Sequence, residues 1–126
     1  MADKKKILVV DDEVQMQEMI AQFLGNAGYE VSAASDGEMA LATAEKIAPD
    51  LILMDIQMPK VDGWVVCHKL KANPKLKKVP IILFSGMIVA DVIPDPVVEK
   101  CDYLMAKPIE MKNLLQKVKE FTEASR

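Results

Sequence analysis

The chain has 126 residues, of which 51% are apolar and 28% charged, with a formal net charge of −3. That is one domain's length of chain with enough apolar residues for a core. The charge is too small for electrostatic capture of nucleic acid or of an anionic membrane. No apolar stretch approaches the ~20 residues needed to cross a bilayer. The opening Met1-Ala2-Asp3-Lys4-Lys5-Lys6 has the lysines of a signal peptide without its apolar core. Cys67 and Cys101 form no C-x-x-C pair, which is expected of a reduced, cytoplasmic protein.

Short apolar runs alternate with longer segments of helical period, which predicts βα units and a parallel sheet covered on both faces. The first run, Ile7 to Val10, ends in Asp11-Asp12. A helix follows from about Glu13, with Met16, Met19, Ile20, Phe23, Leu24 and Ala27 as its apolar stripe and Gly25 and Gly28 at its end. The second strand is Glu30 to Ala34. Ser35-Asp36-Gly37-Glu38 then reads as a capping box with Ser35 as the cap. Helix two buries Ala40, Leu41, Ala44 and Ile47 and ends before Pro49. The third strand, Asp50 to Met54, leads into Asp55, and Met58 to Gly63 is turn chemistry.

Helix three runs from Gly63 to Ala72 and stops before Asn73-Pro74, with His68, the single histidine, facing solvent. The fourth strand, Val79 to Phe84, ends on Ser85. The segment from Ile88 to Lys100 contains Pro94 and Pro96. An interior proline costs a helix ~3 kcal/mol, so a fourth helix there is irregular or shortened. The fifth strand, Asp102 to Ala106, ends on Lys107-Pro108. A last helix from Glu110 to Thr122 has Met111, Leu114, Leu115, Val118 and Phe121 on its apolar face, and Glu123 to Arg126 fray.

Four of the strands therefore end on a group suited to phosphoryl chemistry: Asp11-Asp12, Asp55, Ser85 and Lys107. In an open parallel sheet, ligands bind outside the carboxyl ends of the strands. The strand order 2-1-3-4-5 puts the first and third strands side by side, ~5 Å apart, and so brings Asp12 and Asp55 face to face. Carboxylates at that spacing repel one another and call for a cation. Magnesium suits an oxygen-rich site, with one or two carboxylates, water and a phosphate. Asp55 is the candidate nucleophile, since a carboxylate oxygen attacking phosphorus forms an acyl phosphate. Mg²⁺, the Lys107 ammonium, the Ser85 hydroxyl and backbone N–H groups then share the charge on the phosphoryl oxygens. Each residue alone is compatible with an ordinary cap, turn or surface position. All of them together, each directly after an apolar run, are not.

From Lys6 to about Thr122 the chain resembles the receiver domain of two-component response regulators. The resemblance is carried by Ile7-Leu8-Val9-Val10-Asp11-Asp12-Glu13, Ala34-Ser35-Asp36-Gly37, Asp50 to Pro59, Asp62-Gly63, Phe84-Ser85-Gly86 and Ala106-Lys107-Pro108-Ile109. It implies a flavodoxin-like, doubly wound, five-stranded parallel sheet, with residues 1–126 forming a single receiver domain. It also implies Asp55 as phosphoacceptor and Mg²⁺ held by Asp11, Asp12, Asp55 and the carbonyl of Gln57. Ser85 is then the switch hydroxyl, Lys107 the family lysine, and the bond before Pro108 is expected to be cis. The donor is a phosphohistidine on a histidine kinase or phosphotransfer protein. The output is altered binding of a downstream protein partner, with no direct role for nucleic acid or membrane. Such a protein is not an enzyme on a separate substrate; it catalyses its own phosphorylation and slow self-dephosphorylation.

Two departures stand out. The family's aromatic three residues before the lysine is here Leu104, with Tyr103 one place earlier. A one-residue shift reverses the face, so either the strand is bulged or the usual coupling of hydroxyl to aromatic is missing. The proline-bearing fourth helical segment also reshapes the face through which relatives signal. Among other readings, an aspartate-nucleophile phosphatase needs a second acid two residues after the nucleophile, where this chain has Gln57. A flavodoxin needs a phosphate loop where this chain has Asp11-Asp12-Glu13. The remaining alternative is a degenerate receiver acting as a phosphorylation-independent interaction module.

Overall fold

The computed structural model of the chain describes residues 4–55, 57–58, 61–85, 102–106 and 109–124. Five parallel strands form one sheet: β1 (Lys6–Val10), β2 (Glu30–Ala34), β3 (Leu51–Asp55), β6 (Ile81–Ser85) and β7 (Tyr103–Ala106). Their spatial order is β2-β1-β3-β6-β7, the expected 2-1-3-4-5 arrangement. The strands β4 (Gln57–Met58) and β5 (Val61–Asp62) make a separate two-stranded antiparallel ribbon, with Gln57 opposite Asp62 and Met58 opposite Val61. The turn chemistry of Met58 to Gly63 does not by itself disclose this pairing.

The sheet is coated on both faces because its central strands are apolar at every position rather than alternately. All five residues of β3 are buried, as are Ile7 to Val10 of β1. On one face Leu8, Val10, Ile52, Met54, Ile81 and Leu83 pack with Ala40 and Ala44 of α2 (Gly37–Ile47) and Val66 and Leu70 of α3 (Gly63–Ala72). On the other, Ile7, Val9, Leu51, Leu53, Ile82 and Phe84 pack with Ile20 and Leu24 of α1 (Val14–Asn26) and Leu114 and Val118 of the C-terminal helix α4 (Met111–Ala124). Each fully buried Leu or Ile contributes about 1.5–3 kcal/mol. This is the doubly wound, flavodoxin-like architecture, and it sends every parallel strand toward one common edge.

The opposite edge is pinned by carboxylates at the strand starts. Asp50 Oδ2 accepts from the Lys6 backbone N–H at 2.7 Å, joining β1 to the entry of β3. Asp102 Oδ2 accepts from the Ile81 N–H at 2.7 Å and from Lys71 Nζ at 2.8 Å, joining the starts of β6 and β7 to the end of α3.

Some local expectations need correction. The cap of α2 is Asp36, not Ser35; its carboxylate accepts from the Met39 N–H at 2.8 Å. Strand β2 runs directly to Ala34, so the chain turns into the helix one residue later than the capping-box pattern implied. Met19 does not join the buried stripe of α1 and is 48% exposed. At 100° per residue it lies a full step away from Ile20, which sits at the centre of the buried face. Ala27 falls outside the helix, which ends at Asn26. His68 is exposed, as expected. The proline-bearing segment 88–100 and the Lys107-Pro108 bond lie outside the described residues.

Strand β7 settles the question raised by its aromatic. The register runs unbroken from Ile82↔Tyr103 to Ser85↔Ala106, so no bulge interrupts these four rungs. Tyr103 lies toward α4, with its ring 6.3 Å from that of Phe121 and Lys117 Nζ 4.4 Å from its centroid. Leu104 faces the other way, against the α2–α3 side of the core.

Candidate functional site

The carboxyl edge of the sheet gathers the acids. The β1–β3 ladder has its final rung at Val10↔Met54, so Asp11 and Asp55 each follow that rung by one residue. Asp55 is itself the last residue of β3, opposite Phe84 of β6. It is thus Asp11 that stands in register with Asp55, with Asp12 one residue further out. Asp11, Asp12 and Asp55 each offer an oxygen, and these oxygens all lie within 4.8 Å of one another.

Local chemistry builds this corner. The Asp11 N–H donates to the Ala34 carbonyl at 3.0 Å, carrying the β1–β2 ladder one residue past Val10. Asp11 Oδ1 accepts from the Glu13 N–H at 2.9 Å. An aspartate bonding the backbone two residues on turns the chain sharply, and here it turns β1 into α1. Burial divides the acids into two kinds. Asp11 and Asp55 are 1% and 2% exposed, whereas Asp12 is open to solvent. The cluster is therefore a pocket floor with one exposed lip.

Ser85 ends β6, one residue beyond Phe84 and opposite Ala106, which ends β7. The sheet thus brings Ser85 to the same edge as the acids. Gln57 begins the small ribbon two residues after Asp55. Lys107 follows Ala106 in the sequence and lies outside the described residues. A participant that sequence reasoning missed is Gln17, whose side-chain amide reaches from α1 to the ends of β1 and β2. The signal available was a glutamine set beside Met16 in the stripe that α1 turns inward.

The donor set is carboxylate oxygen throughout, with neither imidazole nor thiolate in the cluster. Three like charges this close repel, and a hard divalent cation converts that repulsion into attraction. The acids present can therefore hold a metal ion, and the exposed Asp12 side leaves room for water or an anionic ligand.

The family model for the response regulator receiver domain matches residues 7–119. The chain belongs to this receiver domain family. It is 39% identical over 118 residues to a probable transcriptional regulator, ycf27, of Cyanophora paradoxa, covering 93% of this chain and 48% of that protein. This chain therefore spans about half the length of the curated relatives it matches. Among solved structures it is similar to the chemotaxis response regulator CheY4 of Vibrio cholerae, with a TM-score of 0.86 and 27% identity over 94% of this chain and 99% of that one. It is also similar to the response regulator TrrA of Thermotoga maritima, solved in complex with Mg²⁺ and beryllofluoride, with a TM-score of 0.81 and 32% identity over 93% of this chain and 98% of that one.

A receiver domain is a phosphoacceptor switch of two-component signalling, and that is the class of function this chain has. The degenerate alternative finds no support at the described site, since Asp11, Asp12 and Asp55 are all present and together. No helix among the described residues is long and apolar enough to cross a membrane.

Proposed function

We propose that this receiver domain, spanning residues 1–126, accepts a phosphoryl group on Asp55 and thereby switches its binding to a downstream protein partner in the cytoplasm. The observation that carries the reading is the position of Asp55. It is a 2% exposed carboxylate on the last residue of a central strand, with oxygens of two further acids within 4.8 Å.

The donor is a phosphohistidine on a histidine kinase or a phosphotransfer protein. A carboxylate oxygen of Asp55 attacks phosphorus while the bond from phosphorus to the imidazole nitrogen breaks. The nitrogen keeps the electron pair and is reprotonated from solvent, leaving an acyl phosphate on Asp55. Such a transfer needs mainly positioning and charge neutralisation. Asp11 and Asp12, with the Gln57 carbonyl, are the groups that would hold Mg²⁺ beside Asp55. When bound, Mg²⁺ supplies positive charge to the phosphoryl oxygens. Ser85 donates its hydroxyl to one of those oxygens and Lys107 its ammonium to another. The complex of TrrA with Mg²⁺ and beryllofluoride supports carrying the same ligand class to this chain.

The protein on this reading turns over no separate substrate; it catalyses only its own phosphorylation and its slow self-dephosphorylation. The test uses Trp64, the single tryptophan, nine residues after Asp55. Mg²⁺ with beryllofluoride should change Trp64 fluorescence in the wild type. Asp55→Asn should fold and show no such change, and Lys107→Ala should still bind Mg²⁺ but lose the beryllofluoride response. A normal response from Asp55→Asn would overturn the assignment.

A further inference from the structure

Gln17 is a polar residue on the inward side of α1, next to Met16 and one turn before the buried Ile20. Its Nε2, with two hydrogens shared among three acceptors, donates to the backbone carbonyl of Asp11, to the backbone carbonyl of Ala34 at 3.2 Å and to Ser35 Oγ at 3.2 Å. Carbonyl oxygens only accept, so the two backbone partners require the amide nitrogen, not its oxygen, to face them. One side chain thus ties together the ends of β1 and β2.

The Asp11 carbonyl belongs to the peptide that joins Asp11 to Asp12. Asp11 is already fixed at its N–H by Ala34 and at Oδ1 by the Glu13 N–H. The Glu13 bond closes a turn around the Asp11–Asp12 peptide without holding that peptide's own carbonyl, and rotation of the peptide would swing the exposed Asp12 away from Asp55. The bond from Gln17 opposes that rotation. We propose that Gln17 is a positioning residue of the cation site: it locks the Asp11–Asp12 peptide so that both carboxylates present their oxygens toward Asp55. The inference rests on the reading above that this cluster takes Mg²⁺, and it adds to it a residue that touches neither metal nor phosphate. Residues that orient metal ligands from behind typically change affinity by about 10–100-fold when removed.

The test is Mg²⁺ titration of the full chain by calorimetry or Trp64 fluorescence. Gln17→Met keeps the length of the side chain and removes its donors. Ile20→Val trims the same helix face without touching the Asp11 peptide, and Asp12→Asn removes a ligand. Gln17→Met should bind Mg²⁺ about tenfold more weakly than wild type. Ile20→Val should stay within about twofold of wild type, even where the two variants lose similar stability. Should Gln17→Met not fold, Gln17→Asn, whose amide is one methylene short of its acceptors, must show the same weakened binding. Wild-type affinity in Gln17→Met, with Asp12→Asn impaired, would overturn the role of Gln17 and leave the cation reading standing. No Mg²⁺ binding by the wild type would remove both.

Discussion

Asp11, directly after β1, and Asp55, the last residue of β3, each stand one residue past the same rung, and both are almost sealed from solvent at 1% and 2% exposure. Two carboxylates in that relationship share the consequences of burial and of each other's charge. They are held there by strands packed on both faces, where a slip by one residue would exchange the side chains fitted to one pair of helices for those fitted to the other. Core packing thus imposes the crowding at the edge, and the open side chain of Asp12 is where an ion or an anionic group can enter.

That crowding makes stability depend on divalent cation. A ligand that binds only the folded state stabilises it by RT ln(1 + [L]/Kd), about 1.4 kcal/mol at ten times Kd. For a chain of this size that raises Tm by roughly 4–8 °C. Thermal unfolding should show this rise with Mg²⁺ against chelator. Asp12→Asn should lose the rise while being at least as stable as wild type in chelator, since one of three mutually repelling charges is gone. A chelator Tm well below wild type for Asp12→Asn would argue that the acids are not in conflict.

The aromatic of β7 should not report on the site in the manner of the family's switch residue. Tyr103 packs on Phe121 and under Lys117, on the face of the strand away from Leu104. Tyr103→Leu should cost about 1–2 kcal/mol through lost ring contacts, measured by urea unfolding. The Trp64 response to Mg²⁺ and beryllofluoride should keep its concentration dependence within about twofold of wild type. A lost response with the fold intact would mean that Tyr103 is coupled to the site after all.

The far edge of the sheet offers a contrast between two partners in one contact. Asp102 accepts from both the Ile81 N–H and Lys71 Nζ. Removing the acid leaves a backbone donor at the start of β6 without its acceptor, so Asp102→Ala should lose about 1–3 kcal/mol. Lys71→Met removes a part-exposed ion pair and the hydrogen bond from Lys71 Nζ to the Val79 carbonyl at 2.9 Å, and should lose about 1 kcal/mol, less than Asp102→Ala. Urea midpoints at constant slope measure both, and equal losses would show that the contacts of Lys71, not the bond from the Ile81 N–H to Asp102, carry this edge.

How far the sequence could be read follows from which forces are local. The continuous apolar runs of β1, β3 and β6 name buried parallel strands, and the acids at their ends name the functional edge, because both signals lie within a few residues. Register is not local: placing Asp11, rather than Asp12, level with Asp55 requires knowing which rung ends the β1–β3 ladder. The choice of Asp36 over Ser35 as cap depended on where β2 releases the chain. Met19 resembled a core residue by type, and only the angular position of Ile20 excludes it. Gln17 was invisible because its partners, Ala34 and Ser35, are distant in sequence and two of its three acceptors are main-chain atoms. The ribbon of β4 and β5 is too short for any periodicity to show.

The most direct test of the central claim is to locate the phosphoryl group. The protein is incubated with acetyl phosphate and Mg²⁺, the acyl phosphate is trapped by borohydride reduction, and the modified residue is found by peptide mass spectrometry. The account requires one phosphoryl group per chain, located at Asp55, dependent on Mg²⁺ and absent from Asp55→Asn. Modification at another residue, or an unmodified wild-type protein under conditions where Mg²⁺ is bound, would contradict it.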